Sequence, residues 1–278
     1  MKTCGKTTMV QVPTSVEYSP TSLNSVRGEA TDTRLEKRTH FDNAKYRIHL
    51  IDYGNGFGEV GWSFVSSGPV SKSDRGQSKS RDKNEDRSMR RARSKMRQLI
   101  LSAKADHLLT LTYRQNITDF ALSVKHFNAF IRKVRSALPD FIYIAVAEQQ
   151  KRGAWHWHIA VRGRQDVSLL RTAWLSVVGD GNIDVNAPKL SQKDRQFLLI
   201  KYLSKYLGKG FSGGEHQLNS RRFRASHGIK IPLESLQKLD HHGSVSDFAL
   251  NALRSRVGSV GHIWTSDDCS AGWACSWK

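Results

Sequence analysis

Two neighbouring runs, FIYIAVAE (residues 141–148) and WHWHIAV (residues 155–161), joined by the polar segment QQKRGA (149–154), decide the fold. Both runs are rich in β-branched and aromatic residues, and a Gly-containing connection of this length reads as a β-hairpin. Successive side chains of a strand point to opposite faces. His156 and His158 therefore share one face, while Trp155, Trp157 and Ile159 share the other, which is expected to be buried. With the turn centred on Arg152, Glu148 falls opposite His156 on the histidine face. That face is expected to look toward solvent.

Outward from the hairpin, the periodicity alternates between strand and helix. HLLTLTY (107–113) is a strand. Phe120, Val124, Phe127, Ile131, Val134 and Leu138 recur at steps of three or four, which predicts a helix over 118–138 that Pro139 ends. Residues 85–103 read as a basic helix, and 167–178 as an amphipathic helix stopped by Gly179. A short strand follows at 183–185. The last helix spans 191–207, opened by Ser191 and Asp194 in the spacing of a capping box. Upstream, Tyr46, Ile48, Leu50 and then Val60, Trp62, Phe64 alternate around the glycine cluster 54–58. No helix and no Lys-Ser/Thr follows that cluster, so it reads as a hairpin turn, not a phosphate loop. The order predicts an α+β fold with a central antiparallel sheet of about five strands and flanking helices. Residues 1–44 are polar and weakly patterned and are expected to be a disordered extension. Residues 45–80 are expected to form the hairpin and a basic linker, 81–235 the main domain, and 236–278 an extension with no assigned role.

The charge speaks to partners. The chain has 278 residues, with 44 Lys+Arg against 25 Asp+Glu, a formal +19. The segment 79–104 carries ten basic and three acidic residues. Phosphate neutralisation with counterion release makes nucleic acid the expected partner, although a solvated lysine-rich surface is the bland alternative. Within the segment, Arg90, Arg91 and Arg93 are the expected phosphate contacts. The three cysteines, Cys4, Cys269 and Cys275, form no CxxC pair. They predict neither a disulfide framework nor a structural zinc site, and a reducing, intracellular compartment. The longest apolar run, 141–147, is far short of the roughly 20 residues of a membrane-spanning helix. The first residues have no apolar segment of a secretory leader.

Two motifs carry chemistry. His156, His158 and Glu148 make a two-histidine, one-carboxylate set that suits Mg²⁺, Mn²⁺ or another divalent ion. The same set fits a non-haem iron oxygenase, which leaves the charge unexplained, and two surface histidines are the ordinary alternative. The second motif is KYLSKYLGK (201–209). Tyr202 and Tyr206 are one helical turn apart, as are Lys205 and Lys209. Tyrosine is a poor nucleophile until activated, and a nearby ammonium is expected to lower the cost of its phenolate. Two tyrosines that merely cover the edge of a core are the alternative.

Taken together and in order, these blocks resemble the HUH endonucleases, the rolling-circle replication initiators of single-stranded DNA phages and plasmids. The likeness is to the two-tyrosine, phage-type form. LTLTYRQN (109–116) is similar to the first family motif, residues 147–158 to the second, and 202–209 to the third. The basic stretch 221–229 resembles one that often follows. The resemblance covers about residues 85–235, and Trp157 is a bulky choice for the slot between the histidines.

It implies that His156, His158 and Glu148 bind Mg²⁺ or Mn²⁺, that Tyr202 and Tyr206 are nucleophiles, and that Lys205 positions or charge-balances the phosphate. Arg114 and Lys209, within the matching blocks, join the arginines as DNA contacts. The implied activity is nicking of single-stranded DNA at a replication origin. A 5′-phosphotyrosine link and a free 3′-OH result, and the strand is rejoined later. No helicase phosphate loop is present, so a host helicase and a host DNA polymerase are the implied partners, in the bacterial cytoplasm and with no membrane. A non-catalytic DNA- or RNA-binding regulator of the same fold, and a transposase or relaxase using the same chemistry, stand as alternatives.

Overall fold

The computed structural model describes residues 46–65, 81–209, 221–236, 244–268 and 270–277. The expected N-terminal extension and the segment 66–80 lie outside the described residues. The elements in chain order are β1 (Tyr46–Gly54), β2 (Phe57–Phe64), α1 (Arg81–Ala103), β3 (His107–Tyr113), α2 (Phe120–Ala137), β4 (Tyr143–Gln149), β5 (Trp155–Val161), α3 (Val167–Val178), β6 (Gly181–Asn186), α4 (Gln192–Lys209), β7 (Arg224–Ala225), β8 (Leu233–Leu236), α5 (Val245–Val257), β9 (His262–Thr265) and β10 (Ala271–Cys275). The fold is α+β, and its strand pairings are antiparallel. Among the described residues no helix is long and apolar enough to cross a membrane. The chain divides into two compact units, one from the residues before position 71 and after position 231, the other from those between.

In the first unit the sheet order is β8-β1-β2-β10-β9. Gly54, Asn55 and Gly56 take positive φ at the β1–β2 turn, as a tight hairpin requires. Val245, Ala249 and Leu253 of α5 pack on Ile48, Leu50, Val60, Trp62 and Ala274. Gly272 is needed where it stands, because the Trp62 ring occupies the space a side chain there would take. The C-terminal stretch, to which the sequence assigns no role, therefore supplies β9 and β10 and the helix that covers the sheet.

In the second unit the order is β6-β3-β5-β4-β7. On one face, Phe127, Phe130, Leu170 and Trp174 of α2 and α3 cover Leu109, Leu111, Ala145, Trp157 and Ile159. On the other, Met96, Ile100, Leu199, Leu203 and Leu207 of α1 and α4 cover Ile144, Val146 and Ala160. β5 is the middle strand between two helix layers, and all seven of its residues are buried. Trp157 stacks on Phe127 at 4.2 Å between ring centroids, and its indole N–H donates to Ser123 Oγ at 2.9 Å. The bulky residue between the histidines is thus a core anchor with its one polar atom satisfied.

A buried carboxylate ties α4 to the sheet. Asp106, immediately before β3, accepts from Arg195 of α4 at 2.9 Å, from the Gly163 N–H at 2.8 Å and from His107 Nδ1 at 2.9 Å. Burial pushes its pKa up, but the bonds from His107, Gly163 and Arg195 more than offset that, and it lies below the usual 3.8. Ser191 Oγ accepts from the Asp194 N–H at 3.2 Å and donates to its carboxylate at 2.6 Å, closing the helix start. A depressed carboxylate contributes stability above its unfolded pKa and loses it as pH falls through the folded one. Asp106→Asn should cost about 1.5–3 kcal/mol at neutral pH, the range for hydrogen bonds to charged groups. In urea denaturation the gap from the parent should narrow as pH drops below about 4.

Candidate active site

The strand register sets the site's geometry. Glu148 pairs with His156 and Val146 with His158 across β4 and β5. On the other side His158 pairs with Thr110 of β3, and Thr110 with Asp184 of β6. Asp184, Thr110, His158 and Glu148 thus share the sheet face on which α4 lies. The histidine face is not turned to solvent as expected. His156 is 7% exposed and His158 4%. The cause is α4, whose tyrosines cover them. The Tyr206 ring stacks on His158 at 4.4 Å and 18°, and Tyr202 meets the same imidazole edge-on at 5.3 Å and 89°. The two tyrosine rings are 4.8 Å apart.

Polar contacts orient the imidazoles. His158 Nε2 lies 2.8 Å from Glu148 Oε2, so it carries the proton and donates. The other nitrogen, Nδ1, sits 3.4 Å from Thr110 Oγ1, whose hydroxyl is left to donate to it. His156 Nδ1 is 3.2 Å from the Gln150 amide nitrogen, while its buried Nε2 has no hydrogen-bond partner. Burial lowers the pKa of both rings. For His156 the neighbouring His158 and Arg152 lower it further, and for His158 the Glu148 bond pulls in the opposite direction. Neutral imidazole is the form that ligates cations. Among the described residues no three His, Cys, Asp or Glu side chains already stand in metal-holding geometry. Glu148 and His158 face each other instead of a shared point.

The tyrosines are inequivalent. Tyr206 is buried, whereas Tyr202 is half-buried. The Tyr202 phenol is pushed well above its usual range, first by burial, then by its bond with Tyr206 and by the charges of Glu148 and Asp184. The expected easing of its phenolate by an ammonium is therefore overridden at this position. Lys205 is exposed, and its Nζ lies 5.9 Å from the centre of the Tyr206 ring. The Lys209 side chain is outside what the structure describes.

Of the residues singled out in the sequence, the fold brings together His156, His158, Glu148, Tyr202, Tyr206 and Lys205. Arg90, Arg91 and Arg93 lie on the exposed side of α1, whose Met96 and Ile100 face the core. Arg114 is 80% exposed just past β3, 3.7 Å from Asp180. The sequence reading missed Thr110, Gln150 and Asp184. Alternation in 107–113 already puts Thr110 on the face opposite Leu109 and Leu111. What it lacks is any sign that β3 neighbours β5 and β6.

An antiparallel sheet with helices on both faces, and with two tyrosines packed on its His-x-His strand, defines a class of candidate phosphoryl-transfer sites. Comparison with known families agrees with a nucleic-acid role. Residues 106–211 match a family model described as Replication-associated protein, of the ORF2 and gene-II-protein type. The match runs from the start of β3 to just past α4 and supports a role in DNA replication for this part of the chain. No curated protein and no solved structure matches the chain.

Because the histidines are buried, their loss will be felt in folding. His158→Ala should lower the unfolding free energy by about 2–4 kcal/mol, in the range for large-to-small buried substitutions. Glu148→Gln, nearer the surface, should stay within about 1 kcal/mol of the parent in urea denaturation. Replacing Arg90, Arg91 and Arg93 by Gln should leave the fold intact. It should flatten the plot of log affinity for single-stranded DNA against log salt by about 0.7 per lost contact, whatever the DNA sequence.

Proposed function

We propose that this protein nicks and rejoins one DNA strand by tyrosine attack, initiating rolling-circle replication. The observation that carries this reading is the packing of Tyr202 and Tyr206 directly on His158, with Glu148 bonded to the same ring. The family match over 106–211 supports the replication context.

In this reading His156, His158 and Glu148 hold a divalent ion, Mg²⁺ or Mn²⁺. The donor set fits such an ion, since His156 offers a buried nitrogen with no partner and both rings are held neutral. When bound, the ion would act as a Lewis acid on the scissile phosphate. The remaining steps belong to the chain. Thr110 and Gln150 hold the imidazoles in place. A tyrosine Oη loses its proton to a neighbouring carboxylate or water and attacks phosphorus. The bond to the 3′ oxygen breaks, and that oxygen leaves as a 3′-OH after taking a proton. The 5′ phosphate remains esterified to tyrosine. Attack by a 3′-OH on that ester re-forms the diester and frees the phenol, so rejoining needs no ATP. Lys205 offers a positive charge beside Tyr206 for the phosphate. Unwinding and synthesis fall to a host helicase and polymerase, in the bacterial cytoplasm. A transposase or relaxase would use the same chemistry and differs in its DNA target.

Incubation with Mn²⁺ and single-stranded DNA of its replicon should give an SDS-stable, nuclease-resistant adduct. EDTA should abolish that adduct and leave binding. Tyr202, the more accessible phenol, should carry the larger share. Tyr202→Phe should therefore lose more adduct than Tyr206→Phe, and the double variant should form none. If DNA binds tightly and no adduct appears with either metal ion, the protein is a non-catalytic regulator and the nicking reading falls.

A further inference from the structure

β7 is an edge strand of the second sheet, and an unusual set of charges gathers beside it. Arg224 pairs with Ala145, which lies on the sheet face covered by α2. From α2, the Arg135 guanidinium carbon sits 5.7 Å from the centre of the Tyr143 ring. That ring is wedged edge-on to Phe127 at 5.6 Å and parallel to Phe141 at 6.3 Å. Burial raises the Tyr143 phenol, and Arg135, Arg224 and Arg221 all oppose that shift, so all three guanidinium groups act on one hydroxyl. β7 is held there by Ser226, whose N–H donates to Tyr143 O at 2.9 Å and whose Oγ accepts from the Tyr143 N–H at 2.9 Å.

Among the described residues none of these three arginines is ion-paired, whereas their neighbour Arg222 lies 3.6 Å from Glu85. The buried Nε of Arg135 has no hydrogen-bond partner. Arg224 is held below its usual pKa by burial and by Arg221. Crowding like charges into a partly buried place without a counter-charge is costly. Such a cost is offset when an anion is bound. Guanidinium forks match the paired oxygens of a phosphate.

We propose that Arg135, Arg221 and Arg224, gathered around Tyr143 at the β7 edge, form a phosphate-binding site for the backbone of the DNA strand engaged at the tyrosine site. The proposal rests on the reading that this protein binds single-stranded DNA. Tyr143 and Glu148 are five residues apart on β4, about 17 Å at the strand rise. That is about five nucleotides at the 3.4 Å rise of one strand in a duplex. The cluster lies on the opposite face of the sheet, so the strand reaches it around the β7 edge. It would fix where the DNA lies and read no bases.

The test measures binding in EDTA, with no cleavage, to a short oligonucleotide that spans only the tyrosine site and to a longer one extending past it. In the Arg135→Gln, Arg221→Gln, Arg224→Gln triple variant, the salt slope for the longer DNA should fall by about two units, at about 0.7 per contact. The short DNA should be unaffected, and the triple Arg→Lys variant should stay near the parent. Arg221→Gln alone changes an exposed residue that cannot unfold the protein, and should lower the slope by about 0.7. An unchanged slope for the longer DNA, or equal losses on both lengths, overturns the proposal. So does competition by inorganic phosphate that the triple Gln variant lacks without any change in DNA slope, because the site would then serve a free anion. Failure of the nicking reading looks different. A protein that cuts nothing can still show the slope change, and one that nicks normally with an unchanged slope loses only this site.

Discussion

The rings of Tyr202 and Tyr206 resting on His158 are the contact around which the candidate site is built. A strand carrying two histidines and a helix carrying two tyrosines each have an ordinary structural explanation alone. Joined, they bury the imidazoles, hold them neutral and bring two phenols to within one ring's width of a carboxylate-bonded nitrogen. The same contact sets the resting state. With Glu148 bonded to His158 and no positive partner between them, the Tyr202 hydroxyl stays a neutral phenol. A divalent cation is the kind of charge that would reverse that balance, because it would offset both carboxylates that oppose the phenolate.

Holding that contact requires support from both ends of α4. Its first turn is pinned through Arg195 to the buried Asp106, and its apolar stripe is shared with α1. On the far side of the sheet, Trp157 keys the same strand into the α2 and α3 layer. β5 is thereby fixed from above and below, which suits side chains whose geometry must not drift.

Charge is distributed unevenly between the two units. The described residues of the first unit carry Arg47, Arg254 and Arg256 against Asp52, Glu59, Glu234, Asp247, Asp267 and Asp268. The basic surplus therefore lies elsewhere, including the exposed side of α1 and the segment before β7. A polyanion is drawn to the unit that also carries the tyrosines. The first unit's five-stranded sheet is organised instead around the apolar packing of α5.

Short-range rules were enough to determine several features from the sequence. The hairpin at 141–161 obeys strand alternation, so the pairing of Glu148 with His156 follows from the turn position alone. The adjacency of Tyr202 and Tyr206 follows from helical pitch, and the surplus of lysine and arginine needs no structure to be seen. Other features were decided by contacts between residues far apart in the chain. The histidine face is buried because a helix some fifty residues later lies across it. Thr110 and Asp184 join the site because β3 separates β5 from β6. Arg135 meets Arg224 because α2 and an edge strand flank the same tyrosine. The sheet of the first unit closes only with strands near the chain's end. Local periodicity reports which way a side chain points from its own backbone. It cannot report what will be packed against it, because that depends on which distant surfaces best remove apolar area from water.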